Sequence, residues 1–95
     1  MSVYVVAGIE EIKDPELMGK YSELASPTVA AHGGKFVARG PIEKLDGDWD
    51  AMGGVVIEFS SAEAVRTWYN SPEYQAALPM RLEAARGTLF MFPGE

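Results

Sequence analysis

Three short stretches of this chain, Val3-Tyr4-Val5-Val6-Ala7-Gly8-Ile9, Val55-Val56-Ile57-Glu58-Phe59 and Thr88-Leu89-Phe90-Met91-Phe92, are apolar at odd and even positions alike. Side chains alternate across a strand, so segments of this kind bury both of their faces. One layer of helices covers only one face of a sheet. The 95 residues make a single domain, large enough to fold without covalent staples but limited in the surface it can bury by itself. The expectation is a homodimer in which two sheets meet face to face about a two-fold axis.

The elements follow from local chemistry. Val55 to Phe59 is a β-branched and aromatic run bounded by Gly53-Gly54, and it stops at Ser60. The Ser60 hydroxyl suits a helix N-cap, with Glu63 three residues on to close a capping box. Asp14-Pro15-Glu16 is a second helix start: Asp14 caps, Pro15 has no donor to waste, and Glu16 suits the positive end of the dipole. Leu17, Tyr21, Leu24 and Thr28 then fall at helical spacing, with Lys20 and Glu23 off that stripe. Pro27 is expected to kink or shorten this helix, and His32-Gly33-Gly34 to end it. Lys35 to Arg39 reads as a strand, and Gly40 to Gly54 as a long exposed connection with Trp49 in its middle. Asn70-Ser71-Pro72-Glu73 is another cap-plus-proline start, continued by Tyr74, Ala77 and Leu78. Pro79 is expected to bend that helix, Gly87 to terminate it, and Thr88 to Phe92 to form the last strand. The order βαββαβ belongs to the α+β class: a ferredoxin-like domain over residues 1–95, with helices on one face of a four-stranded antiparallel sheet.

Composition removes several kinds of chemistry. The chain has no cysteine and one histidine, which excludes disulfides, thiol nucleophiles and histidine-cluster metal sites. A formal net charge of -6 leaves phosphate backbones nothing to condense onto, so nucleic acid is not an expected partner. No apolar run reaches membrane-spanning length, and Met1-Ser2-Val3-Tyr4 lacks the basic region of a signal peptide. A soluble, cytoplasmic protein is expected. Asp46-Gly47-Asp48-Trp49-Asp50 begins like a calcium loop, but Ala51 stands where the glycine is required and Ile57 where the bidentate glutamate is required. Gly53-Gly54 precedes a strand and not a helix, so it is no phosphate cradle. Neither a metal nor a cofactor is expected.

The remaining candidates carry two readings each. His32 has the chemistry of a general base near neutral pH, and equally that of a helix-end residue bonded to the last carbonyls. Arg39 and Glu58 are charges within apolar strands. They either pair with each other across neighbouring strands or serve a ligand, Arg39 by gripping a carboxylate in a two-pronged bond. Trp68, Tyr69 and Tyr74 surround a helix break and either line a pocket for a flat apolar ligand or fill the core. Trp49, in the acidic loop, is a candidate clasp for a dimer or a lid.

The residues Asp14-Pro15, His32-Gly33-Gly34-Lys35-Phe36, Val37-Ala38-Arg39-Gly40, Gly47-Asp48-Trp49, Val56-Ile57-Glu58-Phe59 and Trp68-Tyr69-Asn70-Ser71-Pro72-Glu73-Tyr74-Gln75 together resemble domain-of-unknown-function family 1330, within the dimeric α+β barrel superfamily. The resemblance covers nearly the whole chain and implies a ferredoxin-like homodimer without an established biochemical activity. The wider superfamily includes cofactor-free monooxygenases, isomerases and haem-handling enzymes, an analogy of fold and not of site. Three functional expectations follow. The first is a small molecule held between sheet and helices; the second, a cofactor-independent isomerase, lyase or monooxygenase using His32 and Arg39; the third, a structural or regulatory dimer without a ligand.

Overall fold

The computed structural model describes residues 2–94. Its elements are β1 (Val3–Ile12), α1 (Pro15–Ala31), β2 (Lys35–Pro41), β3 (Gly53–Phe59), α2 (Ala62–Tyr69), α3 (Pro72–Ala84) and β4 (Ala85–Pro93). The four strands form one antiparallel sheet in the order β2-β3-β1-β4. This is the ferredoxin-like arrangement expected from the element order, with the second helical region split in two at Asn70-Ser71.

The register decides which residues face the helices. Val3, Val5 and Ala7 lie opposite Phe59, Ile57 and Val55, and Val5 and Ala7 also lie opposite Met91 and Leu89. These residues form the inner face. Val5, Ile57 and Phe59 are buried against Ala25 and Val29 of α1, Val65 and Trp68 of α2, and Tyr74 and Ala77 of α3. The alternate residues Tyr4, Val6, Val56, Phe90 and Phe92 form the outer face, which no helix among the described residues covers.

Helix ends are set by short-range bonds. The Asp14 carboxylate accepts from the Leu17 N–H at 3.0 Å, as its position before Pro15 requires. At the other end of α1, Gly33 N–H donates to Ala30 and Gly34 N–H to Val29, with Gly33 at φ +81°. That is a Schellman closure, and the positive φ explains the glycine. Ser71 joins α2 to α3 through both of its capacities. Its hydroxyl donates to the Trp68 carbonyl at 2.7 Å and accepts from Tyr74 N–H at 3.2 Å.

Several local expectations are corrected. The cap of α2 is Ser61, whose Oγ accepts from Ala64 N–H at 3.0 Å; the strand ends at Phe59 as expected, but the helix begins only at Ala62, so Ser60 lies outside it and Glu63 stands in the wrong position for a capping box. The inward line of α1 is half-buried Tyr21 with buried Ala25, Thr28 and Val29, while Leu24 is exposed. Neither Pro27 nor Pro79 interrupts its helix. The carbonyls they leave unpaired, on Glu23 and Gln75 four residues back, belong to exposed residues where water substitutes for the lost bond. Gly87 lies within β4 rather than ending α3. It pairs with Ile9 beside a register shift, where a Cβ would collide with the Gly8 carbonyl. The connection between β2 and β3 spans residues 42–52, shorter at both ends than Gly40 to Gly54, and it is tied to the sheet by Met52 N–H donating to Ile9.

Ser61→Ala is expected to cost about 1 kcal/mol of stability and Ser60→Ala much less. Chemical denaturation of the two variants checks this, and equal midpoints would contradict the assignment of the cap.

Candidate functional site

A cavity of about 270 Å³ lies between the inner face of the sheet and α1. Apolar side chains, Met18, Phe36, Val55 and Leu89 among them, make most of its wall, with Tyr21 and Trp68 on the helical side and Arg39 from β2. Among the described residues, Tyr21 and Arg39 are the titratable groups of this lining. The Arg39 guanidinium stands 4.4 Å from the centre of the Phe36 ring, held by the attraction of a cation to an aromatic face. No carboxylate among the described residues forms an ion pair with it. Being on an edge strand, Arg39 also borders a second hollow of about 380 Å³ on the outer face, beneath Trp49 and against Val6 and Val56.

The expected pair of Arg39 with Glu58 does not form. Strands β2 and β3 are neighbours, but their register sets Arg39 opposite Val55 and Glu58 opposite Lys35, so the two side chains leave the sheet on different faces. The register alone keeps them apart along the strands, and a bulge between Phe36 and Ala38 turns Arg39 onto the inner face. Glu58 instead accepts a hydrogen bond from the Ser2 hydroxyl at 2.6 Å.

His32 is the C-cap of α1. Its Nδ1 lies 2.8 Å from the Thr28 carbonyl oxygen; a carbonyl only accepts, so Nδ1 carries the proton and Nε2 is left free. The ring lines a groove with Ser61, Glu63 and Thr67, at the end of the domain where α1 stops and α2 begins. His32 and Arg39 thus border different cavities.

Trp68 and Tyr74 are core residues that also support the cavity. The Trp68 indole N–H donates to Thr28 Oγ1 at 3.0 Å, and the Thr28 hydroxyl donates onward to the Ala25 carbonyl at 2.6 Å. Tyr74 is fully buried, 4.5 Å from Trp68 and 5.4 Å from Tyr69 between ring centres. Trp49 packs on the outer face, over Gly8 and 6.2 Å from Phe90; a Cβ at position 8 would collide with the indole, so the glycine makes room for it. It is therefore separated from Trp68, Tyr69 and Tyr74 by the sheet.

Two residues matter more than their sequence context indicated. The Tyr21 hydroxyl is 2.9 Å from that of Tyr74. Burial, reinforced by this neighbour, pushes the Tyr21 phenol well above its ordinary value, while Arg81 acts in the opposite direction and loses. Tyr21 therefore stays a neutral hydroxyl wherever the protein is folded near neutral pH. Arg81 could have been singled out from spacing, since it continues the line Tyr74, Ala77, Ala84 on the buried side of α3, where a charge is out of place.

A phenol raised on folding contributes stability below its unfolded value of 10.0 and loses it as pH rises further. Above pH 10 unfolding then releases a proton, and stability is expected to fall by about 1.4 kcal/mol per pH unit for that one group. Tyr21→Phe should remove one proton's worth of this slope in alkaline denaturation curves; an unchanged slope would place the titration elsewhere.

No curated protein matches the chain. Among solved structures, the methylated RPA0582 protein, described as of unknown function from Rhodopseudomonas palustris, superposes with a TM-score of 0.80 at 19% identity, over 99% of this chain and 81% of that one. SnoaB, a cofactor-independent oxygenase from Streptomyces nogalater, superposes with a TM-score of 0.72 at 14% identity, over 99% and 93%. A dimeric ferredoxin-like protein of unknown function from Jannaschia sp. CCS1 gives 0.71 at 15% identity, over 99% and 100%. At these identities the similarity is one of fold. The family is shown by sequence: over residues 2–94 the chain matches the domain of unknown function DUF1330, and it belongs to that family.

Proposed function

We propose that this protein is a homodimeric binder of a small, largely apolar molecule bearing a carboxylate or enolate oxygen, held between the sheet and α1. The observation that carries this reading is the apolar cavity of about 270 Å³ with an Arg39 guanidinium on its wall that lacks a carboxylate partner among the described residues. Ligand pockets combine an apolar lining with a few polar groups that orient the guest, and the volume suits a compact one. A guanidinium offers the fixed two-pronged donor geometry that an oxyanion takes. Binding is favoured over proton-transfer chemistry because the described lining contains no histidine or carboxylate to act as a base, and Tyr21 is held neutral. Titration calorimetry with small carboxylates and enolisable ketones tests it. Arg39→Lys is expected to weaken any ligand found by about tenfold through loss of the two-pronged bond. Equal affinity in parent and variant would remove Arg39 from the site.

The dimer rests on the outer face. Tyr4, Val6, Val56, Phe90 and Phe92 share it with Trp49, and Trp49, Phe90 and Phe92 are 41%, 39% and 49% exposed, a contiguous apolar surface unlike that of a monomer. The dimeric ferredoxin-like fold of the Jannaschia protein agrees with a second copy as the cover. Sedimentation at micromolar concentration is expected to show a dimer, and Val6→Glu, a charge in the centre of the face, a monomer. A parent protein that sediments as a monomer would overturn the assembly.

A further inference from the structure

A second cavity, of about 340 Å³, lies on the other side of Trp68 and Leu89, between β4 and the helices α2 and α3. Its walls include Val5, Val65, Tyr69 and Met91, and two arginines, Arg66 and Arg81, border it. Among the described residues no aspartate or glutamate lines it, although the chain carries a net charge of -6. Arg66 is exposed in the last turn of α2, where a cation is ordinary.

Arg81 is not ordinary. Its Nε is buried and, among the described residues, has no hydrogen-bond partner, and no carboxylate forms an ion pair with the guanidinium. A buried donor on a charged group is costly unless it is paired. The Tyr21 phenol interacts with the Arg81 side chain through a hydrogen bond, but burial keeps it protonated, so it brings no charge to match the guanidinium. The charge of the guanidinium, which borders the cavity, is thus unmatched by any carboxylate among the described residues.

We infer that the cavity between β4 and helices α2 and α3 is a second binding site, taking a monocarboxylate whose oxygens pair with Arg81 and whose apolar body lies against Val5, Val65 and Met91. A carboxylate matches the fork of a guanidinium, and the apolar wall excludes a guest that is polar throughout, such as a free phosphate. The site is independent of the Arg39 cavity. Met18 lines that cavity and Met91 this one, so each has its own reporter.

The experiment is a titration of the protein, labelled with ¹³C at its methionine methyls, with hexanoate and with hexanamide as the neutral control. Hexanoate is expected to shift the Met91 signal saturably and hexanamide to leave it in place. Arg81→Met should weaken the Met91 response at least about tenfold, whereas Arg39→Met should leave it unchanged. The melting temperature of ligand-free Arg81→Met is expected to equal or exceed that of the parent, since an apolar side chain of similar length replaces an unpaired charge. If Arg81→Met does not fold, Arg81→Lys, which keeps the charge but not the fork, should show the weakened response. A response confined to Met18, an equal response to hexanamide, an undiminished response in the Arg81 variants, or a lowered melting temperature in Arg81→Met would overturn the inference. The first of these would leave the Arg39 reading standing.

Discussion

The Trp68 indole is where the layers of this domain meet. Its ring lies 5.4 Å from Phe59 of β3 and 4.5 Å from Tyr74 of α3, and its N–H reaches Thr28 of α1 at 3.0 Å. One side chain on α2 thus touches the sheet and both other helices. The aromatic contacts supply most of the attraction, because rings of this size bury large areas. The hydrogen bond supplies direction: a buried indole N–H without a partner is penalised, so α1 must present Thr28 to it and no other residue. The Ser71 hydroxyl, bonded to the Trp68 carbonyl and the Tyr74 N–H, holds α2 and α3 at the angle that makes this possible.

The same packing leaves cavities in the interior. The rings of Trp68, Tyr69 and Tyr74 pack together beneath the helices, and small residues such as Ala7 and Ala25 line the space beside them. Trp68 and Leu89 separate the two resulting cavities. Arg39 borders the first cavity and Arg66 and Arg81 the second, and none of the three has a carboxylate partner among the described residues. The ion pairs formed by the described residues lie instead at the surface, between Lys44 and Asp50 and between Arg86 and Glu10 and Glu11, where such pairs contribute little.

The outer face of the sheet poses a different constraint. Trp49 lies over Gly8 and beside Phe90, so part of the apolar surface is already covered by the chain's own loop. Glu58 is the exception among the apolar side chains of that face, and its bond to the Ser2 hydroxyl keeps the carboxylate satisfied there. A covering subunit would meet a mixed surface of aromatic rings and a paired acid rather than a uniform apolar sheet. Among the described residues no helix is long and apolar enough to cross a membrane.

Local chemistry was legible from residue order. Asp14 before Pro15, Ser71 before Pro72 and Gly33-Gly34 after His32 each act over three or four residues, and the structure shows those bonds where the sequence predicts them. Alternation likewise determined that the strands would be apolar on both faces, and the βαββαβ order determined the class of fold. Register and phase were decided only by tertiary packing. Whether Arg39 meets Glu58 depends on register, which sets Lys35 rather than Arg39 opposite Glu58, and which face Arg39 occupies depends on a bulge that nothing near residue 37 in the sequence announces. Whether Leu24 or Ala25 faces inward depends on the size of the rings beneath α1, which come from residues some forty positions away. That Arg81 Nε is buried without a partner among the described residues is a property of everything around it, so it exists only once the chain has folded.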